Sequence, residues 1–338
     1  MLHFKSGRIF LHIGINKTGT TSLQQTFAKN QSTLMKQGLL YPQSGRITAA
    51  HYRLSNLLGF HRGRTPPENQ HTLESLKSEL TTEIKRSKPQ AILLSSENFV
   101  IPGPMQHVKD FFLGMDLYVI VYLRRHDSWW ESAYAQSLKM LASPPWEPGF
   151  IHFYRYHRKK RGGYGNYRQL LERWERVVGK DKIIVRPYEK SQNQPDLLAD
   201  FLKSIGMETC YKSLLQEDKH YNESLRPEDI KHIEVIQSTA MPDPIKLKLI
   251  KAVVAQPSQG PRQSIIPPAL RHKMIMENQE DYAYIAKRYR VNDGDFLFQE
   301  PPTDPNEAWE KPKAPRAKTI VERAVQTILQ DHAITQIP

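Results

Sequence analysis

The stretch Arg8-Ile9-Phe10-Leu11-His12-Ile13-Gly14-Ile15-Asn16-Lys17-Thr18-Gly19-Thr20-Thr21-Ser22-Leu23 decides the fold. Its first half is a short apolar, β-branched run of the kind that makes a buried strand. Its second half is a glycine-containing turn that opens a helix, with Leu23 and Phe27 four residues apart on one face. A strand that turns through glycine into a helix is the opening unit of a parallel α/β sheet.

Working outward, three more runs have the same form: Ala91–Ser95 (AILLS), Leu117–Leu123 (LYVIVYL) and residues 182–187 (KIIVRP). Each is followed by polar residues and then by helical periodicity. Tyr167, Leu170, Leu171, Trp174 and Val178 share one helical face; Leu197, Leu198, Phe201, Leu202 and Ile205 share another. Strand and helix alternate, which predicts an α/β fold with a doubly wound, mainly parallel sheet flanked by helices. Residues 1–300 are expected to form one principal domain. Residues 301–318, rich in proline and charge, are expected to be a linker, and residues 319–338 an amphipathic helix and tail. Residues 143–166 crowd Pro, aromatic and basic side chains together and read as a loop beside the active cleft.

The chain has 338 residues and 39% hydrophobic content, enough for a full core. Its 48 Lys+Arg against 35 Asp+Glu give a net charge of +13 and a field that attracts polyanions. One cysteine, Cys210, allows no intramolecular disulfide and favours a reducing compartment. No signal-peptide pattern opens the sequence, and the most apolar stretch, residues 111–123, is too short to span a bilayer and contains Asp116. The expectation is a cytoplasmic protein with no membrane span. Nothing fixes the oligomeric state.

The turn after the first strand is a phosphate cradle. Unpaired N–H groups at a helix N-terminus, at the positive end of its dipole, favour an anion, and Gly19 lets the backbone come close to it. Thr18, Thr20, Thr21 and Ser22 add hydroxyls. A nucleotide triphosphatase loop sets Lys directly after its second Gly, followed by a Ser or Thr for magnesium. Here Thr20 takes that place and Lys17 lies two residues before Gly19, in the turn itself. The alternative is a turn that uses Gly and Thr for geometry alone. A second constellation follows the LYVIVYL strand: Arg124 at its C-terminal edge, where ligands of doubly wound sheets bind, and Ser132 eight residues on, near the start of a helix. Arg125 competes with Arg124 for that role.

Lys17-Thr18-Gly19-Thr20-Thr21 resembles the 5′-phosphosulfate loop of the sulfotransferases that use 3′-phosphoadenosine-5′-phosphosulfate (PAPS), in a P-loop NTPase-like fold. Arg124 and Ser132 resemble that family's 3′-phosphate anchor, although His126 stands where the family usually has proline. The run KIIVRPYE at residues 182–189 is similar to a later family strand, which implies a nucleotide contact for Tyr188; a structural tyrosine at a strand end reads equally well. The resemblance runs in ordered pieces through residues 8–207, with echoes at residues 222–224 and 278–289. It implies PAPS as donor, 3′-phosphoadenosine-5′-phosphate (PAP) as product and a hydroxyl-bearing acceptor, a glycan or small metabolite.

Sulfuryl transfer is physically similar to phosphoryl transfer, in which positioning and electrostatics supply the catalysis. Lys17 would stabilise the leaving phosphate. The transferred group carries less charge than a phosphoryl group, so no metal is expected. An alcohol acceptor needs a base, and two residues qualify: His51, on a segment comparable to one that holds a catalytic His or Glu in polysaccharide-type relatives, and Glu97, after the AILLS strand. Residues 146–161 interleave aromatic and basic side chains, which suits an anionic glycan; packing of those rings into the core is the plainer reading. Two other functions compete. A nucleic-acid-binding protein fits the charge, though no nucleic-acid module is present and none is expected as partner. A P-loop small-molecule kinase using ATP fits the loop, but not its displaced lysine.

Overall fold

The structure is a computed structural model that describes residues 7–61, 72–160, 165–214, 225–258 and 263–313. Among the described residues five strands form one sheet: β1 (Arg8–His12), β2 (Leu39–Leu40), β3 (Ala91–Ser95), β4 (Leu117–Leu123) and β5 (Ile183–Pro187). Their spatial order is β2-β3-β1-β4-β5 and every pairing is parallel. The four strands expected from apolar runs are all present. The two-residue β2 is too short to leave a pattern.

Burial on both faces explains why the strands read as unbroken apolar runs rather than as alternation. Phe10, Leu93, Ile120 and Tyr122 pack with Leu23 and Phe27 of α1 (Thr20–Lys29) and with Phe201, Leu202 and Ile205 of the helix Leu197–Ser204. Ile9, Leu11, Leu94, Val119 and Val121 are equally buried on the opposite face. Full burial of each such side chain is worth about 1.5–3 kcal/mol, so α1 is held by Leu23 and Phe27 more firmly than by its own propensity. The connection leaving β1 leads to one side of the sheet and that leaving β4 to the other. The C-terminal edge between β1 and β4 is therefore a topological switch point, where such sheets bind ligands.

The chain divides into two compact units that interleave in sequence. The first comprises Met1–Arg125, Asn166–Tyr221 and Gln279–Pro301 and contains the sheet. The second comprises His126–Gly165, Asn222–Asn278 and Pro302–Pro338 and is helical among its described residues.

One expectation is corrected in the second unit. Within residues 143–166, Phe150–Lys160 is an α-helix and not a loop. Phe150, Phe153 and His157 recur at helical spacing, and their rings meet Tyr134 and Trp146. The rings are spent on packing, with Phe153 and His157 buried, while Arg155, Arg158 and Lys159 stay exposed. Arg161, the last of the interleaved residues 146–161, and the helix and tail expected at residues 319–338 lie outside the described residues, as do residues 222–224. Among the described residues no helix is long and apolar enough to cross a membrane.

Candidate functional site

The turn after β1 is shaped by its backbone. Lys17 adopts a left-handed conformation with φ 70°, and Gly19, the N-cap of α1, another with φ 74°. A left-handed lysine costs about 1–2 kcal/mol, a strain that marks a site when it is retained. Gly14 is needed for a different reason: a Cβ there would lie 2.6 Å from Thr20 Oγ1. A Cβ on Gly19 would collide with Leu197 Cδ2 and stand 3.5 Å from Tyr188 Cε2.

No side chain caps α1, and no acidic residue lies in its first turn. The positive end of its dipole is therefore not offset by a side-chain cap or a first-turn carboxylate. The hydroxyls divide their work. Thr18 and Thr20 are buried and donate to the Ile15 carbonyl at 2.7 and 3.4 Å, which stitches the turn together. Thr21 and Ser22 are exposed.

Arg124 Nη1 donates to the Lys17 carbonyl at 2.9 Å, joining the end of β4 to the strained turn at the switch point. Its guanidinium carbon lies 5.6 Å from the centre of the Tyr188 ring. Tyr188 is set by its own N–H, which donates to Leu123 O at 2.6 Å, and the Arg124 carbonyl accepts from Tyr167 Oη at 2.6 Å. Lys17, Gly19, Arg124 and Tyr188 therefore converge. Arg125 points elsewhere and donates to the carbonyls of Glu300 and Pro301 at 3.1 and 2.9 Å. Of the two arginines, Arg124 is the one that reaches the turn. Ser132 lies in the second unit, on the helix His126–Met140.

Glu97 leaves the sheet on the same edge. His12 pairs with Ser95 in register, so Gly14 and Glu97 emerge side by side from β1 and β3. Glu97 is half-buried, and its Oε2 lies 3.4 Å from Tyr52 Oη. The helix Tyr52–Leu57 is fastened to this turn, since Ser55 Oγ accepts from Ser96 Oγ at 2.9 Å and Asn56 Oδ1 accepts from Asn98 Nδ2 at 3.1 Å.

His51 does not fit the role of base. Its Nδ1 accepts from the Ser95 N–H at 3.1 Å, which leaves the proton on Nε2, donated to Pro42 O at 3.1 Å. Its own N–H donates to Ser95 O at 2.7 Å. A ring with both nitrogens so engaged has no lone pair for a substrate proton. Burial holds its pKa down to about 3, so it stays neutral. His51 positions the end of β3 instead. Sequence reasoning missed His12, Gln24 and Ser95, which form a buried hub: Ser95 Oγ accepts from Gln24 Nε2 at 3.0 Å and lies 2.9 Å from His12 Nδ1. Burial lowers the pKa of His12 to about 3, so the ring is neutral in this hub. The hub ties β1, α1 and β3 together beneath the turn. Only the polarity of His12 and Ser95 at the ends of apolar strands signals it in the sequence.

No family model matches the chain. Over 91 residues it is 32% identical to an uncharacterized protein of Archaeoglobus fulgidus; the match covers 27% of this chain and spans 22% of that relative's length. Among solved structures it is similar to a sulfotransferase from Alicyclobacillus acidocaldarius, at a TM-score of 0.40 and 17% identity, over 73% of this chain and 97% of that one. The functional reading stands on the chain's own residues.

Proposed function

We propose that the chain is a sulfotransferase that moves a sulfuryl group from PAPS to an acceptor hydroxyl. The observation that supports the reading is the hydrogen bond from Arg124 to the Lys17 carbonyl, because it joins the Arg124 guanidinium to the turn that carries Lys17 at the sheet's switch point. The donor fits the residues present. The uncapped α1, the glycine approach at Gly19 and the Tyr188 ring suit a 5′-phosphate and a base, and Arg124 suits the 3′-phosphate. PAPS supplies the activated sulfuryl group.

In this reading the Lys17 ammonium neutralises charge as it develops on the 5′-phosphate oxygen. Glu97 takes the acceptor's proton, a role that His51 cannot share. The bond from sulfur to the phosphate oxygen breaks, one to the acceptor oxygen forms, and PAP leaves. No metal has a part in the scheme.

The test is transfer of ³⁵S from labelled PAPS to a panel of sugar and phenol hydroxyls, with EDTA present. Transfer by the wild type, lost with Lys17→Ala and lowered roughly 10²–10⁴-fold with Glu97→Gln at unchanged PAP affinity, is the expected outcome. A Glu97→Gln variant as fast as wild type would remove Glu97 from the scheme, and transfer that stops with EDTA would contradict metal independence.

A further inference from the structure

Among the described residues, three arginines of the first unit have an Nε that is shielded from solvent and unmatched by any acceptor: Arg46, Arg53 and Arg173. Two of them are otherwise occupied. Arg46 donates from Nη2 to Gln31 Oε1 at 3.0 Å and lies over the Tyr41 ring, and Arg173 donates from Nη2 to the Val100 carbonyl at 2.7 Å. Arg53 is different. Half-buried on the helix Tyr52–Leu57, its guanidinium has no hydrogen-bond or ion-pair partner among the described residues.

A charged group that has lost water at one nitrogen and gained nothing there calls for an explanation. The location supplies one. Tyr52, the residue before it, reaches Glu97, and Ser55 and Asn56, on the same helix, hold the turn that carries Glu97. The arginine is thus borne on the element that fixes the general base. The two terminal nitrogens of a guanidinium present parallel N–H groups in a planar fork that matches the two oxygens of a carboxylate or sulfate, a geometry no ammonium reproduces.

We propose that Arg53 binds an oxyanion carried by the acceptor, so that the acceptor is a hydroxyl compound that also bears a carboxylate or a sulfate ester. The proposal rests on the sulfuryl-transfer reading, and its test separates the two. Arginine Nε–H resonances are followed by ¹H–¹⁵N correlation in full-length protein, with Arg53 and Arg124 assigned by their loss in Arg53→Lys and Arg124→Lys. PAP is added first, then glucuronate, glucose 6-sulfate or glucose to separate samples.

The Arg53 signal is expected to move with at least one charged sugar at concentrations where glucose leaves it in place, and the sugar that moves it tells carboxylate from sulfate. Arg53→Gln should weaken binding of that sugar roughly tenfold or more, the loss of a charge-assisted pair, while PAP affinity stays unchanged. An Arg53 signal that is silent to both charged sugars, or that moves equally with glucose, overturns the proposal. An Arg124 signal that ignores PAP sinks the donor reading instead.

Discussion

At the scale of single residues, the proposed site divides into those assigned to substrates and those that hold them in place. The placement of Lys17 in the turn and of Arg124 at a strand's end was legible in their spacing, and the structure joins the two by a hydrogen bond; their roles as ligands belong to the proposal. His51 was not legible, because no sequence shows that both ring nitrogens are taken by Ser95 and Pro42. Arg53 has no sequence signal beyond following Tyr52; a shielded Nε on a guanidinium with no partner among the described residues distinguishes it. The two readings of His51 differ in outcome. As a positioning residue, His51→Gln should lower the urea midpoint, since it strands buried backbone groups at about 1–3 kcal/mol, and leave the shape of the pH–rate profile as in wild type. Were it the base, the rate would collapse with stability intact.

At the scale of elements, the parallel strands announced themselves because both faces are buried, whereas β2 is too short to do so. The helix Phe150–Lys160 was hidden by composition: prolines before it and cations within it look like a loop, while the aromatic repeat that makes it a helix is read only by position. The junction of β1 with α1 is the most demanding joint. Gly19→Ala places a Cβ at φ 74° against Leu197, so a loss of about 1–2 kcal/mol is expected from the backbone alone. Chemical denaturation should show that loss and calorimetry a parallel loss of PAP binding. Binding retained in a destabilised variant would mean that the anion does not sit on this turn.

At the scale of the whole molecule, buried neutral histidines set the response to acid. Burial lowers His12 and His51 to about 3 in the first unit and His126 to about 4 in the second, against an ordinary 6.5. Below pH 6.5 the unfolded chain binds protons that the folded protein refuses, so stability falls as the pH drops toward 4. Each histidine contributes about 2 kcal/mol of that loss by pH 5. Burial raises Glu131, which works in the opposite sense for one group against three. Urea midpoints at pH 7.5, 6 and 5 should decline in that order; a flat series would mean that these rings are protonated in the fold.

The central claim is the proposal that Lys17 and Arg124 hold the phosphates of the donor at the switch point. Calorimetric titration with PAP in magnesium-free buffer, on wild type, Lys17→Ala and Arg124→Ala with ATP as the control ligand, tests it most directly. The expected result is clear PAP binding, much poorer ATP binding, and a loss of roughly tenfold or more with Arg124→Ala, the magnitude of a charge-assisted hydrogen-bond pair. No PAP binding, or a preference for ATP once magnesium is supplied, would contradict the sulfotransferase reading and favour phosphoryl transfer.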